Sequence, residues 1–372
     1  MIPTWTPDDF DYDLPPDRIA QTAAEPRDSA RMLVVHRANG RLAHRTFRDL
    51  PEYLRPGDVL VLNETRVIPA RLHARKIPSG GAVEVLLLEP LDSVRWLALV
   101  GGKRLRPGTQ LAIQAHGDAP PLEAIIEAEG AESERIVAFS EPVEPHLAAI
   151  GEAPLPPYIH THLADPERYQ TVYARTPGSV AAPTAGLHFT PDLLLQVRAM
   201  GVGLVYCTLH VGPGTFMPVR AEHIAARRLH AERAELTPDA ARAINEARLR
   251  GGRIVAVGTT TVRTLETAAL HAAGADPCAV SDPAQPGSPE EGEACPWRPL
   301  SAFAGQTGLF IMPGFRFRAV DVMITNFHLP RSSLLMLVSA FAGRDLMLQA
   351  YEVAKAEGYR FYSLGDACLI LD

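Results

Sequence analysis

The chain has 372 residues, 47% of them hydrophobic, the composition of an ordinary globular protein long enough for two domains with cores of their own. Its net charge of -7 does not by itself advertise a nucleic-acid partner, and no run approaches the roughly 18 uncharged apolar residues that span a bilayer. The four cysteines, Cys207, Cys278, Cys295 and Cys368, lack CxxC spacing, which argues against a zinc finger, a redox motif or a disulfide scaffold.

In chain order, the opening MIPTWTPDDFDYDLPPD is acidic and proline-rich, unlike a signal peptide, so a cytoplasmic location is expected. Between about 70 and 150, short strand signals recur at VEVLLLE, VRWLALV, QLAIQ, LEAIIEA and RIVAF, separated by turns such as Ser79-Gly80-Gly81 and Pro107-Gly108. Strands at that spacing with no helical period between them predict a small β-barrel. Pro69 and LPPYI at 155–159 mark its junctions, so residues 70–152 are expected as an insertion in a discontinuous domain of residues 1–69 and 153–372. Basic residues gather within and beside the barrel signals at Arg71, His73, Arg75 and Lys76 and at Lys103, Arg104 and Arg106, leaving local RNA contact open.

From about 180 onward, helix and strand signals alternate. Thr190 and Pro191 open a helix that Gly201 ends before the strand VGLVYCTL, and Thr237 with Pro238 open another that Gly251 closes. RIVAVG then reads as a strand and TTVRTLETAALHAA as a helix, with Ser332 capping SLLMLVSAFA, a second helix running to Gly358, and YRFYSL as a final strand. This is an α/β (α+β) domain with a mixed sheet. Residues 275–299, rich in proline and acid, predict a mobile surface loop.

Three clusters carry the chemistry: PTAGLHF at 183–189, LHVGPGTF at 209–216 and TNFHLP at 325–330. Each ends a regular element with glycine or proline, a hydroxyl or amide, and a histidine. A lone histidine of this kind is more often structural, but three such ends suggest one shared pocket for a small polar ligand. VGTTTVRTLE places Gly258 and three threonines at a helix N-terminus, where free amides favour a carboxylate; simple capping by Thr259 or Thr260 is the equal alternative. HAE at 230–232 puts a histidine and a carboxylate on one strand face, where a solvated pair is the plainer reading. Histidines 160, 162, 188, 210, 223, 230 and 328 would allow metal hydrolysis, but no HExxH or cysteine set fixes them, so no metal is expected. Phosphate-loop and esterase-elbow patterns are absent.

Taken in order, NETRVIPARL, LPPYI, YQTVYA, VAAPTAGLHF, LHVGPGTF, HAE, VAVGTTTVRTLE, PGF, DVMITNFHLPRSSLLMLVSAFAG and YRFYSLGDACLI resemble the S-adenosylmethionine:tRNA ribosyltransferase-isomerase family of queuosine biosynthesis. Departures are mild, among them Glu64 where the family often has Asn or Asp. The resemblance implies transfer of the ribosyl part of S-adenosylmethionine, a cosubstrate rather than a resident cofactor, to 7-aminomethyl-7-deazaguanine in tRNA. Isomerisation would give epoxyqueuosine, with adenine and methionine released. It also implies an α/β domain with an inserted barrel.

That chemistry needs a base for the hydrogens beside the sulfonium and a proton or hydrogen bond for departing adenine. His188 and His210 are expected to divide these roles, with Thr184, Gly186, Gly212, Gly214 and Thr215 shaping contacts to the ligand. Thr259, Thr260, Thr261 and Arg263 would hold the methionine carboxylate, and Asn326 with His328 would line the nucleobase side. Glu232 and Asp366 would balance the sulfonium. Arg71, Arg75, Lys76 and Arg104 would set the barrel against the anticodon stem of tRNA. A monomer is expected. A nonenzymatic RNA-binding module and a metal hydrolase are the other classes, separated by adenine release and by chelator sensitivity.

Overall fold

Alternation of buried and exposed residues organises both halves of the chain. The computed structural model describes residues 5–116, 121–130, 133–161, 163, 165–212, 214, 219, 221–226, 228–274 and 298–372. The loop expected at 275–299 lies almost wholly outside the described residues. Two units result, one comprising Met1–Thr65, Pro157–Thr176 and Pro183–Asp372, the other Arg66–Pro156 and Pro177–Ala182.

In the larger unit the strands are β1 (Arg31–His36), β2 (Arg41–Thr46), β3 (Val59–Asn63), β4 (Gly203–Leu209), β5 (Arg228–Leu236), β6 (Ile254–Val257), β7 (Phe303–Leu309), β8 (Val322–Asn326) and β9 (Ala367–Leu371). They form one sheet in the order β7-β5-β4-β3-β6-β8-β9-β1-β2. The central strands β4, β3, β6 and β8 are mutually parallel, while β9 runs antiparallel to β8 and β5 antiparallel to β4. The mixed sheet is therefore parallel where both of its faces are covered.

Period-two alternation in β3 sends Val59 and Val61 into one core and Leu60 and Leu62 into the other. Helices α2 (Pro238–Leu249), α3 (Thr259–Ala272), α4 (Ser333–Ala342) and α5 (Arg344–Ala356) contribute to the first core, and α1 (Pro191–Ala199) to the second. Three of the expected caps are made by side chains: Thr190 accepts from Leu193 N at 3.1 Å, Thr237 from Ala240 N at 3.2 Å and Ser332 from Leu335 N at 3.2 Å. No single described helix is long and apolar enough to cross a membrane.

The last strand corrects the sequence reading. YRFYSL at 359–364 is a turn in which Tyr362 holds a φ of 71°, and the strand is Ala367–Leu371, buried along its length. ACLIL has no polar alternation because it lies inside the sheet between β8 and β1, whereas the aromatic residues before it pack as a turn.

Among the described residues, the barrel of the smaller unit has six antiparallel strands, Arg71–Ile77, Ala82–Pro90, Arg95–Gly101, Glu134–Phe139, Leu122–Glu129 and Gln110–Ile113, in that spatial order, and the two-residue strand Gly151–Glu152 pairs with the start of the first. Pairing of Ala74 with Ile113 through Ile77 with Gln110 joins Gln110–Ile113 to Arg71–Ile77 and closes the barrel. Register shifts at Leu87/Glu89 and Ile136/Val137 supply the irregularity that curvature requires. RLHARKI at 71–77 was legible only as a basic cluster, yet it is a strand. Leu72 and Ala74 point into the core, leaving Arg71, His73 and Arg75 on the other face.

Candidate functional site

Four parallel neighbours, β4, β3, β6 and β8, end on one edge of the large sheet, the position where open α/β sheets bind ligands. Their ends present, in order, His210, Asn63 with Thr65, Gly258 with Thr260, and Asn326.

Asn63 fixes the first half of this edge. Its side-chain amide donates to Leu209 O at 3.0 Å and to Thr260 Oγ1 at 3.2 Å, while its Oδ1 accepts Leu209 N at 3.1 Å and Thr65 N at 3.2 Å. Thr65 Oγ1 then lies 2.8 Å from His210 Nδ1. Burial, with the Arg233 guanidinium beyond it, lowers the pKa of the half-buried His210 from its ordinary value and so favours the neutral form.

Gly258 begins α3 at a φ of +89°, a conformation that suits glycine, and a side chain there would approach Thr260 and Ala185. The threonines do not cap the helix. Thr261 Oγ1 donates back to Val257 O at 2.7 Å and Thr264 Oγ1 to Thr260 O at 3.0 Å, while Thr260 receives Asn63. The capping alternative for VGTTTVRTLE is thereby removed.

The second half centres on Asn326. Thr184 Oγ1 donates to its Oδ1 at 3.0 Å, and its Nδ2 sits 3.3 Å from both His188 Nε2 and Tyr362 O. His188 ends a tight turn at Thr184–His188 and lies 5.0 Å from the buried Phe47 ring, at 35° to it. Burial first, and then the Arg360 and Arg27 guanidiniums, lower its pKa to about 3. Gly186, in the same turn, admits the Tyr173 hydroxyl, which a Cβ would meet at 2.0 Å.

Several expected ligand contacts are committed elsewhere. Arg263 and Glu232, both buried, are ion-paired, and Arg263 also donates to Leu309 O at 3.2 Å and Thr307 O at 3.3 Å. Glu232 Oε1 accepts Gly212 N at 2.8 Å, so the pair anchors the turn after β4 instead of offering free charge. Asp366 accepts Arg31 N at 3.0 Å and Arg360 N at 2.8 Å, fastening the chain ends at β1 and β9.

His328 faces Thr325 Oγ1 at 2.9 Å; its backbone N donates to the Tyr351 hydroxyl at 2.9 Å, and its carbonyl accepts from the Tyr12 hydroxyl. Burial lowers its pKa to about 3. Asn326, not His328, is the member of TNFHLP that reaches His188, because the two side chains leave the strand end in different directions. Gly214 lies against His230, and Thr215 lies outside the described residues. No three of His, Cys, Asp and Glu gather as metal ligands among the described residues.

Sequence reasoning missed Asn63, Thr65, Phe47 and Tyr362. NET at 63–65 was part of a quoted motif, and an amide followed by a hydroxyl at a strand end was the available signal. Phe47 and Tyr362 carried none, since their contacts are entirely tertiary.

In the barrel unit, Lys76 Nζ donates to Lys103 O and, at 3.3 Å, to Arg104 O, bringing the two basic stretches to one end. Arg75 donates to Gly80 O at 3.1 Å. Arg71 instead lies 3.8 Å from Glu84, and neighbouring His73 lies 3.5 Å from Glu152.

The sequence model of a family described as queuosine biosynthesis protein matches residues 7–370. A Symbiobacterium thermophilum protein named S-adenosylmethionine:tRNA ribosyltransferase-isomerase is 52% identical, covering 98% of this chain and 99% of its own length. A Thermus thermophilus protein of the same name is 50% identical, covering 97% and 98%. Among solved structures, the S-adenosylmethionine tRNA ribosyltransferase from Thermotoga maritima is similar with a TM-score of 0.52 and 38% identity, over 98% of this chain and all of that one.

Proposed function

This chain belongs to the queuosine biosynthesis protein family and is an enzyme of the ribosyltransferase-isomerase class, and we propose that it acts on 7-aminomethyl-7-deazaguanine in tRNA. The ribosyl moiety of S-adenosylmethionine is transferred to that base and isomerised, giving epoxyqueuosine-tRNA with release of adenine and methionine. The observation that carries the site assignment is the placement of two neutral, differently buried imidazoles, His188 and His210, along one sheet edge.

A sulfonium acidifies the adjacent C5' hydrogens, so the reaction begins by losing a proton to a base, and adenine leaves more readily when a ring nitrogen receives a hydrogen bond. His188 and His210 divide these tasks. The free amides opening α3 at Thr259, Thr260 and Thr261 suit the methionine carboxylate. Arg263, Glu232 and Asp366 support the site by holding its loops. His328 supports it from the core side, and Asn326 acts through His188.

For tRNA, the Lys76, Lys103 and Arg104 end of the barrel unit is a better phosphate contact than Arg71, whose charge Glu84 already meets. The enzyme acts as a cytoplasmic monomer and S-adenosylmethionine is its cosubstrate.

The test is incubation with S-adenosylmethionine and tRNA carrying the aminomethyl base, followed by chromatography of adenine and of the nucleoside digest. Both products are expected, and His188→Ala and His210→Ala should each suppress them while leaving S-adenosylmethionine binding measurable. Full turnover in both variants would overturn the acid/base assignment; adenine without modified nucleoside would overturn the acceptor.

A further inference from the structure

We propose that Asn326 is a positioning residue that holds His188 in one tautomer, with its hydrogen on Nδ1, so that His188 meets a ligand as a hydrogen-bond donor and the base role falls to His210. This deepens the reading above, but the tautomer can be measured with no substrate present, so the two stand or fall separately.

The two histidines differ in the partners their ring nitrogens meet. The partner of His210 Nδ1 is the Thr65 hydroxyl, which both donates and accepts, so that contact does not choose a tautomer. The partner of His188 Nε2 is a primary amide, whose two ends are chemically distinct.

Which end faces the imidazole is settled by a third group. The Tyr362 carbonyl can only accept, and it lies 3.3 Å from Asn326 Nδ2, so that atom must be the NH2. On the other side Oδ1 accepts the Thr184 hydroxyl at 3.0 Å. With the amide fixed at both ends, its NH2 points at His188 Nε2, which must therefore present a lone pair. A neutral imidazole that accepts at Nε2 carries its hydrogen on Nδ1.

Local structure shows why the arrangement persists. Tyr362 keeps a φ of 71°, which non-glycine residues rarely hold, and its N donates to Phe327 O at 3.1 Å while its carbonyl receives Asn326. A strained turn held from both sides is the kind of backbone that sites retain. Phe47 packs beside the imidazole, tilted at 35° to it, and opposes the ring flip that would put a carbon in place of Nε2. Arg360 and Arg27 oppose a second proton. The three segments that meet here, the turn 184–188, the end of β8 and the turn at 362, are far apart in sequence.

The experiment is a two-bond proton–nitrogen correlation spectrum of the full-length protein labelled with 15N-histidine, in which the His188 signals among the 13 histidines are those missing from His188→Gln. The expected wild-type pattern is protonated Nδ1 and unprotonated Nε2. Asn326→Asp replaces the donor with an acceptor and should invert that pattern, with turnover falling about 10²- to 10⁴-fold, the range that general acid–base catalysis contributes. Thr184→Val removes one support but leaves the Tyr362 carbonyl, so His188 should keep its wild-type pattern. A hydrogen on Nε2 in the wild type overturns the proposal even if Asn326→Asp does not fold. An unchanged pattern in a folded Asn326→Asp, or inversion in Thr184→Val, overturns the role given to the amide.

Discussion

Substituting Gly186 with alanine tests whether the turn that carries His188 is set by steric fit to Tyr173. A Cβ at position 186 would lie 2.0 Å from the Tyr173 hydroxyl oxygen, 2.9 Å from Thr171 Cγ2 and 3.0 Å from Tyr173 Cζ. The hydroxyl would have to retreat by about 1.4 Å to reach the 3.4 Å of ordinary contact, and Thr171 by about 0.5 Å. Overpacking of this size costs about 2–3 kcal/mol. Tyr173→Phe removes the closest atom but not Cζ or Thr171, so it should relieve about half of that cost, a coupling of about 1–1.5 kcal/mol. Urea unfolding of the wild type, both single variants and the double variant measures the coupling, and titration with S-adenosylmethionine reports whether the displaced turn weakens binding. A Gly186→Ala midpoint at the wild-type value, or costs that simply add in the double variant, would refute the argument that the hydroxyl occupies the space of a missing Cβ.

Other consequences follow from charge. His188 and His328 have folded pKa values near 3 against an unfolded value near 6.5, so unfolding takes up protons below pH 6.5. Each histidine therefore contributes stability that is present above that pH and lost as pH falls toward 3, about 2 kcal/mol between pH 7 and 5. Urea midpoints across that range check it, with His328→Gln flattening the acid limb. Arg263→Met should leave the buried Glu232 carboxylate uncompensated and cost about 3–5 kcal/mol in unfolding free energy, whereas replacing both partners by apolar residues should recover most of the loss. For tRNA, Lys76→Gln with Arg104→Gln should reduce the slope of log affinity against log salt by about 1.5–2, while Arg71→Gln should change it little.

Periodicity and punctuation made much of the architecture legible. Alternation in VEVLLLE, VRWLALV and LEAIIEA marked barrel strands because one face of each is buried, and Thr-Pro starts with glycine stops marked α1 and α2 because backbone groups at helix ends need those partners. The strand at 71–77 was hidden because only Leu72 and Ala74 report its inward face. YRFYSL misled because aromatic density suits a strand and a packed turn equally, and only the Phe327 and Asn326 contacts to Tyr362 distinguish them.

The same division runs through the site. Sequence alone determined that glycine, hydroxyl and imidazole residues end several elements at PTAGLHF, LHVGPGTF and VGTTTVRTLE, since chain reversal and helix starts impose local rules that leave a local record. Tertiary structure alone decided which of those residues meet. It joined His188 to Asn326 and His210 to Thr65, turned His328 into the core, and paired Arg263 with Glu232. The physical reason is that a side chain's partner depends on strand order across the sheet, and residues 63, 210, 260 and 326 become neighbours only when four separate parallel strands end on one edge.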